Sequence, residues 1–344
     1  MERLRWGLLS TARINERLIP AIASSGRSEL VAVASRDQVR AQTYASARAI
    51  PRAYGQYEEM LQDRGVDVVY ISLPNSEHAN WAVRAAEAGK HILCEKPLAL
   101  RAADVDRMGT AAAANGVALM EAAMYRYHPQ TARVRGLVLD GAIGAVRFVQ
   151  ARFCFTLIND PDIRRDPEKG GGSLWDIGSY PISLSRAVLG EEPESVCGWQ
   201  QTSAAGIDMT FAGQLRFPSG AVLQFASSFA AIPGWEMQIV GSAGMIRLDH
   251  PYLNQVGSSA TIDLVRGGPA GGATFGDSTE HLDREQILFE KCDAYRDEVA
   301  NVEAVLLDGA DPAISIEFSR ANVAVIQALY QSARSGGTVS LEEA

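Results

Sequence analysis

The sequence predicts an α/β fold in two parts: an N-terminal doubly wound parallel sheet and a C-terminal α+β domain on an open, mainly antiparallel sheet. Three observations predict it. The first third alternates short apolar runs with helical spacing, which is the pattern of strand–helix–strand crossovers. After about Tyr125 strands dominate and follow one another through tight turns. The 344 residues, at about 150 per domain, are enough for two separate cores.

Taken in order, Arg5–Leu9, Leu30–Ala34, Val66–Leu73, His91–Cys94 and Val117–Met120 are the apolar or β-branched runs expected to be strands. Between them Ala79, Ala82, Val83 and Ala86 keep helical spacing, Asn75 or Ser76 can cap the start, and Gly89 follows the last turn. A second helix is expected from Arg101 to Ala114, closed by Asn115-Gly116. Residues 1–124 therefore form one expected domain and 125–344 the other. In the second, a helical segment at Thr131–Leu139 precedes a strand at Val146–Phe155. Met209, Phe211, Leu215 and Phe217 share one face, Pro218-Ser219-Gly220 turns the chain, and Ala221, Leu223 and Phe225 resume the alternation. Glu236–Val240 ends at Gly241-Ser242-Ala243-Gly244, a tight turn into Met245–Leu248. Gly267–Gly276 is read as a glycine-rich loop, and a last helix, Ile314 to Ala333, is a candidate to pack back on the first domain.

Composition narrows the class. Hydrophobic residues are 47% and charged residues 21%, ordinary values for a globular protein. With 32 basic against 41 acidic side chains the formal charge is −9, which disfavours nucleic acid as a partner but leaves room for a local basic island. The apolar stretch Trp6–Leu9 is too short for a secretory signal, and no run of about 20 apolar residues could span a membrane. Cys94, Cys154, Cys197 and Cys292 form no C-x-x-C pair, so free thiols and a cytoplasmic location are expected. The five histidines show no ligand spacing, and no catalytic metal is expected.

Four stretches carry chemistry. Ser10, Thr11, Ala12, Arg13 and Ile14 follow the first strand, where a dinucleotide fold sets a phosphate turn against a helix N-terminus. Ser10, Ala12 and Asn15 replace all three glycines of the G-x-G-x-x-G pattern, so an ordinary strand-to-helix turn stays open as the alternative. Ser35-Arg36 ends the second strand where NAD-binding sites place an acid on the ribose. A hydroxyl and a guanidinium there suit a 2′-phosphate and favour NADP over NAD, with Asp37 as the alternative ribose ligand. Glu95-Lys96-Pro97 ends a strand at the edge that faces the ligand crevice of an α/β sheet. Finally Gly170-Gly171-Gly172 leads to Asp176 and Tyr180, four apart and facing one way in a helical turn; Pro181 is expected to disfavour helix at Tyr180 and to open the next helix.

Pro74-Asn75-x-x-His78, Gly89-Lys90-His91 through Glu95-Lys96-Pro97, Glu121-Ala122, Tyr125-Arg126-Tyr127-His128-Pro129 and Gly170–Tyr180 together resemble the Gfo/Idh/MocA oxidoreductases over nearly the whole chain. The resemblance implies a Rossmann domain, a C-terminal sheet that often forms the oligomer interface, and nicotinamide-dependent oxidation or reduction of a sugar or cyclic polyol. By that likeness Lys96 is the catalytic lysine, and Asp176 and Tyr180 line the substrate pocket with Tyr127 and His78. Leu73, Pro74, Asn75, His78, Glu95, Lys96 and Arg126 join the phosphate turn as expected cofactor contacts. Many members have His in place of Tyr180, and the Lys–Tyr combination is similar to the branch with D-xylose and dimeric dihydrodiol dehydrogenases. A homodimer or homotetramer through the C-terminal sheet is expected, with Phe225, Phe229 and Trp235 at the interface.

The pair makes chemical sense by itself. Oxidising a secondary alcohol needs a base for the hydroxyl proton, and a free tyrosine, with a pKa of about 10, is a weak one. An ammonium about 4 Å away at an effective dielectric near 20 favours the phenolate by roughly 4 kcal/mol, less what burial takes back. Lys96 beside Tyr180 would turn a poor base into a usable one. A non-catalytic NAD(P)-binding regulator on the same fold is the alternative, and a pure binder has no need of such a pair.

Overall fold

The computed structural model describes residues 3–158, 161–252, 259–267, 282–290 and 292–341. The chain divides into two compact units, Met1–Tyr127 with Glu168–Gly170 and Tyr295–Val323, and His128–Pro167 with Gly171–Ala294 and Ala324–Ala344.

The first unit is a six-stranded sheet of β1 (Leu4–Leu9), β2 (Ser28–Ala34), β3 (Arg52–Tyr54), β4 (Val68–Ile71), β5 (His91–Glu95) and β6 (Leu119–Ala122). Its order is β3-β2-β1-β4-β5-β6 and every neighbouring pair is parallel, the doubly wound arrangement expected. The connecting helices are α1 (Asn15–Ser24), α2 (Gln38–Ser46), α3 (Tyr57–Leu61), α4 (His78–Glu87) and α5 (Ala102–Ala114). Both helices read from spacing are present within a residue of their expected starts. The edge strand β3 has three half-buried residues, too few to show a period. The fourth strand is shorter than expected because Ser72 leaves the ladder for side-chain hydrogen bonds described below.

The order of strands reverses between β1 and β4, so their carboxyl ends face the crevice where ligands bind in such sheets. Trp6, Leu8, Val33, Tyr70, Leu93 and Met120 of the sheet pack with Leu18 and Ile22 of α1. The Trp6 indole N–H donates to Ser28 Oγ at 3.0 Å, so the largest buried ring leaves no polar atom unsatisfied.

The second unit holds α6 (Pro129–Leu139), β7 (Val146–Thr156), α7 (Ser179–Leu189), β8 (Ser195–Thr202), β9 (Asp208–Arg216), β10 (Val222–Ser228), β11 (Ala230–Gly241), β12 (Gly244–Leu248), β13 (Ala260–Arg266) and β14 (Asp283–Phe289). Then come α8 (Ala294–Asp308), α9 (Ile316–Ser335) and β15 (Val339–Ser340). The nine-stranded sheet runs β14-β13-β12-β11-β7-β10-β9-β8-β15, antiparallel except for β7 with β10. The β9–β10 hairpin closes through Pro218-Ser219-Gly220, and Gly220 takes φ +84, which a residue with a Cβ resists. Val299 and Val302 of α8 lie in the core of the first unit, to which α9 up to Val323 also belongs, while the rest of α9 belongs to the second.

Alternation along β7 and β10 decides which face is open. Val149, Ala151, Leu223 and Phe225 point to the covered side, and Gln150, Arg152 and Gln224 point away. This corrects the expected interface residues: Phe225 and Phe229 are buried within their own unit, Phe225 stacked on Phe211, and the large apolar side chains left exposed on β7 and β8 are Phe148 and Trp199. The glycine-rich loop at 268–276 lies outside the described residues. Among the described residues no helix is long and apolar enough to cross a membrane, and no group of three metal-ligating side chains is found.

Candidate active site

The turn after β1 is built by side chains where glycines were absent. Ser10 Oγ accepts the Ala12 amide at 3.0 Å and lies 2.8 Å from Ser72 Oγ at the end of β4. Ser72 Oγ donates to Asn15 Oδ1 at 2.7 Å, and Asn15 Nδ2 donates back to the Ser10 carbonyl at 2.9 Å. Ser10, Asn15 and Ser72 are all buried, so the ring of bonds is dry and holds the turn against the first residues of α1. The three substitutions of the glycine pattern are thus a second way of fixing the same turn. Thr11, Ala12 and Ile14 are half-buried and Arg13 is exposed beside it.

Ser35 is buried at the end of β2, its amide donating to the Tyr54 carbonyl, and Arg36 is exposed. Asp37 is the N-cap of α2: its carboxylate accepts the Arg40 amide at 2.7 Å. One carboxylate oxygen is thereby committed to the helix start. Arg40, which spacing did not single out, turns back so that Nε donates to Thr11 Oγ1 at 2.8 Å. Burial raises the Tyr57 phenol above its ordinary pKa while Arg36 and Arg40 pull it down, which places both guanidinium groups near one hydroxyl. Arg40 thus links the start of α2 to Thr11 in the turn after β1.

At the end of β5, Glu95 accepts the buried Tyr70 hydroxyl and Lys96 follows, half-buried, with a cis peptide to Pro97. His78 is fully buried, with Nδ1 2.9 Å from the Pro97 carbonyl and Nε2 2.9 Å from the Leu73 carbonyl. Burial lowers its pKa against the pull of the two carbonyls. Each ring nitrogen faces a backbone carbonyl, and the one N–H of a neutral imidazole can serve either, so His78 bridges the Leu73–Pro74 turn and the Lys96–Pro97 turn. Asn75 Nδ2 donates to the Gly170 carbonyl at 2.9 Å. Glu121 accepts the Leu98 amide at 3.0 Å and the Ser319 hydroxyl at 2.6 Å, anchoring the segment after Pro97. Arg126 lies with Cζ 4.4 Å from the Phe318 ring centroid, and the Tyr127 hydroxyl faces the Glu121 carbonyl at a long 3.5 Å. Burial, with Glu298 and Glu121 adding to it, holds the Tyr127 phenol well above its usual pKa, so it serves as a neutral hydroxyl.

In the second unit Gly171 and Gly172 are each forced. A Cβ on Gly171 would stand 2.5 Å from the Arg164 carbonyl oxygen. Gly172 has φ +122, and a Cβ there would be 2.2 Å from Asp208 Oδ1. Asp208, from β9, accepts the Ser173 hydroxyl and the Leu174 amide at 2.7 Å each and the Tyr330 hydroxyl of α9 at 2.6 Å. Leu174–Gly178 is one π-helical turn that runs directly into α7. Pro181 therefore sits in the first turn of α7 and Tyr180 is helical, contrary to expectation; the wider π turn just before it absorbs the proline's missing N–H. On such a turn residues four apart share a face, which Asp176 and Tyr180 do.

Tyr180 is 7% exposed, edge-on to Phe153 at 5.3 Å and tilted against Tyr252 at 5.7 Å between ring centroids. Phe153 stacks on Tyr252 and meets Trp235, which bonds His250. The second unit thus carries Tyr180 against an aromatic wall and Asp176 beside Arg164, and the first carries Lys96 and Arg40. Arg40 and Asp208 were missed because their partners Thr11 and Tyr330 lie far away in sequence.

The model of the "Oxidoreductase family, NAD-binding Rossmann fold" matches residues 4–123, and that of the GFO/IDH/MocA C-terminal domain matches residues 131–247. The chain is 36% identical over 341 residues to the D-xylose 1-dehydrogenase (NADP(+)) 2 of Haloferax volcanii, covering 98% of this chain and 100% of the relative. It is 34% identical over 251 residues to the trans-1,2-dihydrobenzene-1,2-diol dehydrogenase of Sus scrofa, covering 72% and 75%. The aldose-aldose oxidoreductase of Caulobacter crescentus, solved with glycerol, superposes with a TM-score of 0.88 at 28% identity, covering 99% and 100% of the two chains.

Proposed function

The chain belongs to the Gfo/Idh/MocA oxidoreductase family, and on that premise we propose that it is an NADP(H)-dependent enzyme that interconverts a sugar or cyclic polyol and its carbonyl form. The observation that carries the reading is the π-to-α junction that places Asp176 and Tyr180 four residues apart, with Tyr180 against Phe153 and Tyr252. A dehydrogenase for D-xylose and one for a dihydrodiol among the relatives support the substrate class, and the NADP(+) in the name of the first supports the cofactor.

The residues present fit a phosphorylated dinucleotide. Ser10, Asn15 and Ser72 hold the turn that leads into α1, and Arg36 and Arg40 supply two cations for a 2′-phosphate. A bound nicotinamide would take up or donate the hydride. The chain handles the proton. In the oxidative direction Tyr180 accepts it from the substrate hydroxyl, and in reduction it returns it to the carbonyl oxygen. Lys96 lowers the cost of the phenolate and orients that oxygen, Asp176 accepts a neighbouring hydroxyl, and Tyr127 lines the pocket as a neutral donor. Arg126 and Asn75 complete the cofactor side. A cytoplasmic location and a homodimer or homotetramer through the open sheet face belong to the same proposal.

The test is a panel of sugars and cyclic polyols assayed with NADP and NAD, together with Tyr180→Phe and Lys96→Met. Each variant should lose about 10²-fold or more in kcat while still quenching with NADPH. Near-full turnover by both would sink the assignment, and NADPH binding without turnover of any substrate would make the protein a regulator.

A further inference from the structure

We propose that Arg164 is a specificity-determining residue of this site, acting with Asp176 to read a single substrate hydroxyl. Arg164 lies in a short 3₁₀ turn, Ile163–Arg165, in a loop whose role composition did not disclose. Asp162 accepts its backbone amide at 2.9 Å, its Nε at 2.9 Å and its Nη2 at 2.8 Å, so the guanidinium is locked in a two-pronged ion pair. The plane lies over Phe155, with Cζ 5.3 Å from the ring centroid. At the other end the Arg164 carbonyl accepts the Gly172 amide at 3.0 Å, and the lack of a side chain on Gly171 lets that approach happen. Backbone and side chain are both fixed, and what remains directed outward is Nη1.

Nη1 stands 3.6 Å from Asp176 Oδ2, longer than a hydrogen bond and short enough for an ion pair. Both side chains keep some exposure, 30% and 22%. The arrangement sets a fixed donor in an ion pair with an acceptor, and both remain partly open to a third group that approaches from the side. A hydroxyl is the one common group that donates and accepts through one atom, so it can give its proton to Asp176 while taking one from Arg164. Asp162 keeps the guanidinium from collapsing fully onto Asp176. A site built this way rejects an analogue that lacks the hydroxyl, because the ion pair would then be left without its bridging partner. The substrate class is therefore one with a hydroxyl adjacent to the reacting carbon, as in a sugar or a vicinal diol, and the inference rests on Asp176 being a substrate residue as proposed above.

The experiment is Arg164→Met and Arg164→Lys, with steady-state kinetics on the panel, NADPH affinity, and a crystal structure of the methionine variant. Arg164→Met should raise KM for hydroxylated substrates by at least about fivefold, with kcat and NADPH affinity nearly unchanged, and Arg164→Lys should recover part of the loss. Deoxy analogues missing the read hydroxyl should lose their penalty relative to wild type. A KM change of less than about fivefold, or an equal effect on deoxy and hydroxylated substrates, overturns the proposal. Should the wild-type protein turn over no substrate in the panel, the proposed function falls and the structure decides the role of Arg164: a Asp176 carboxylate displaced by more than about 0.5 Å supports it, and a smaller shift overturns it.

Discussion

The Tyr330 hydroxyl donates to the Asp208 carboxylate at 2.6 Å, across 122 residues of sequence. The same carboxylate takes the Ser173 hydroxyl and the Leu174 amide, so an acid 2% exposed collects three donors and fixes the start of the π turn that bears Asp176. Tyr330→Phe leaves that acid one donor short inside the protein. The expected loss is about 1–2 kcal/mol in urea unfolding, with Asp208→Ala costing more because it strands Ser173, Leu174 and Tyr330 together. An unchanged midpoint in Tyr330→Phe would show that the bond contributes nothing.

The same acid explains the glycine before it. Gly172→Ala puts a methyl group 2.2 Å from Asp208 Oδ1 and asks alanine to hold φ +122. Neither can relax without moving the π turn, so at least about 2 kcal/mol of stability and most of the activity should go. Gly89→Ala is the control: φ is +72, yet nothing stands within 4 Å of its Cβ, so only the backbone strain of about 1 kcal/mol is expected. Equal losses in the two variants would show that the contact with Asp208 is irrelevant.

What the sequence disclosed follows the length of the interaction. The hairpin of β9 and β10 was legible because Phe211, Leu215, Leu223 and Phe225 alternate over consecutive residues and Pro218-Ser219-Gly220 turns them. β8, with Gly198 and a run of polar residues, and β14, whose apolar residues are confined to its end, carry no such alternation, whereas β13 carries it in Ala260, Ile262 and Leu264 over three positions only. Lys96 and Tyr180 stood out through the motif around each. Ser10 and Asn15 looked like failures of the glycine pattern until Ser72, nearly 60 residues on, closed the ring with both. Pro181 misled because the rule for the residue before proline assumes an α-helix, and a π turn precedes it here.

Arg40 gives the cofactor reading its sharpest test. Its Nε is held on Thr11 at 2.8 Å, which fixes this exposed guanidinium beside the turn after β1. A charge-assisted bond to a 2′-phosphate contributes about 1.5–3 kcal/mol, so Arg40→Ala should weaken NADPH by roughly 10- to 100-fold. NADH, which has no such phosphate, should bind the variant and the wild type alike. Arg36→Ala should follow the same pattern, and parallel losses for both cofactors would take these arginines off the 2′-phosphate.

Glu298 carries the pH dependence. It is 1% exposed on α8 with Oε1 lacking any hydrogen-bond partner, and burial, reinforced by the charge of Glu95, pushes its carboxyl well above the usual carboxylate range. Tyr70, whose hydroxyl Glu95 accepts, is buried beside the same acids and is itself pushed well up. The folded protein therefore keeps a proton on Glu298 that the unfolded chain releases above about pH 4.3. Stability from this group is complete below that pH and falls as pH rises, by up to about 1.4 kcal/mol per unit, until the folded pKa is reached. Glutamine copies the neutral acid and cannot ionise in either state. Glu298→Gln should match the wild type near pH 4 and become progressively more stable than it in urea unfolding at pH 5, 6.5 and 8. A stability gap that stays constant across that range would mean that Glu298 is ionised in the folded protein, and that a counter-charge holds it there.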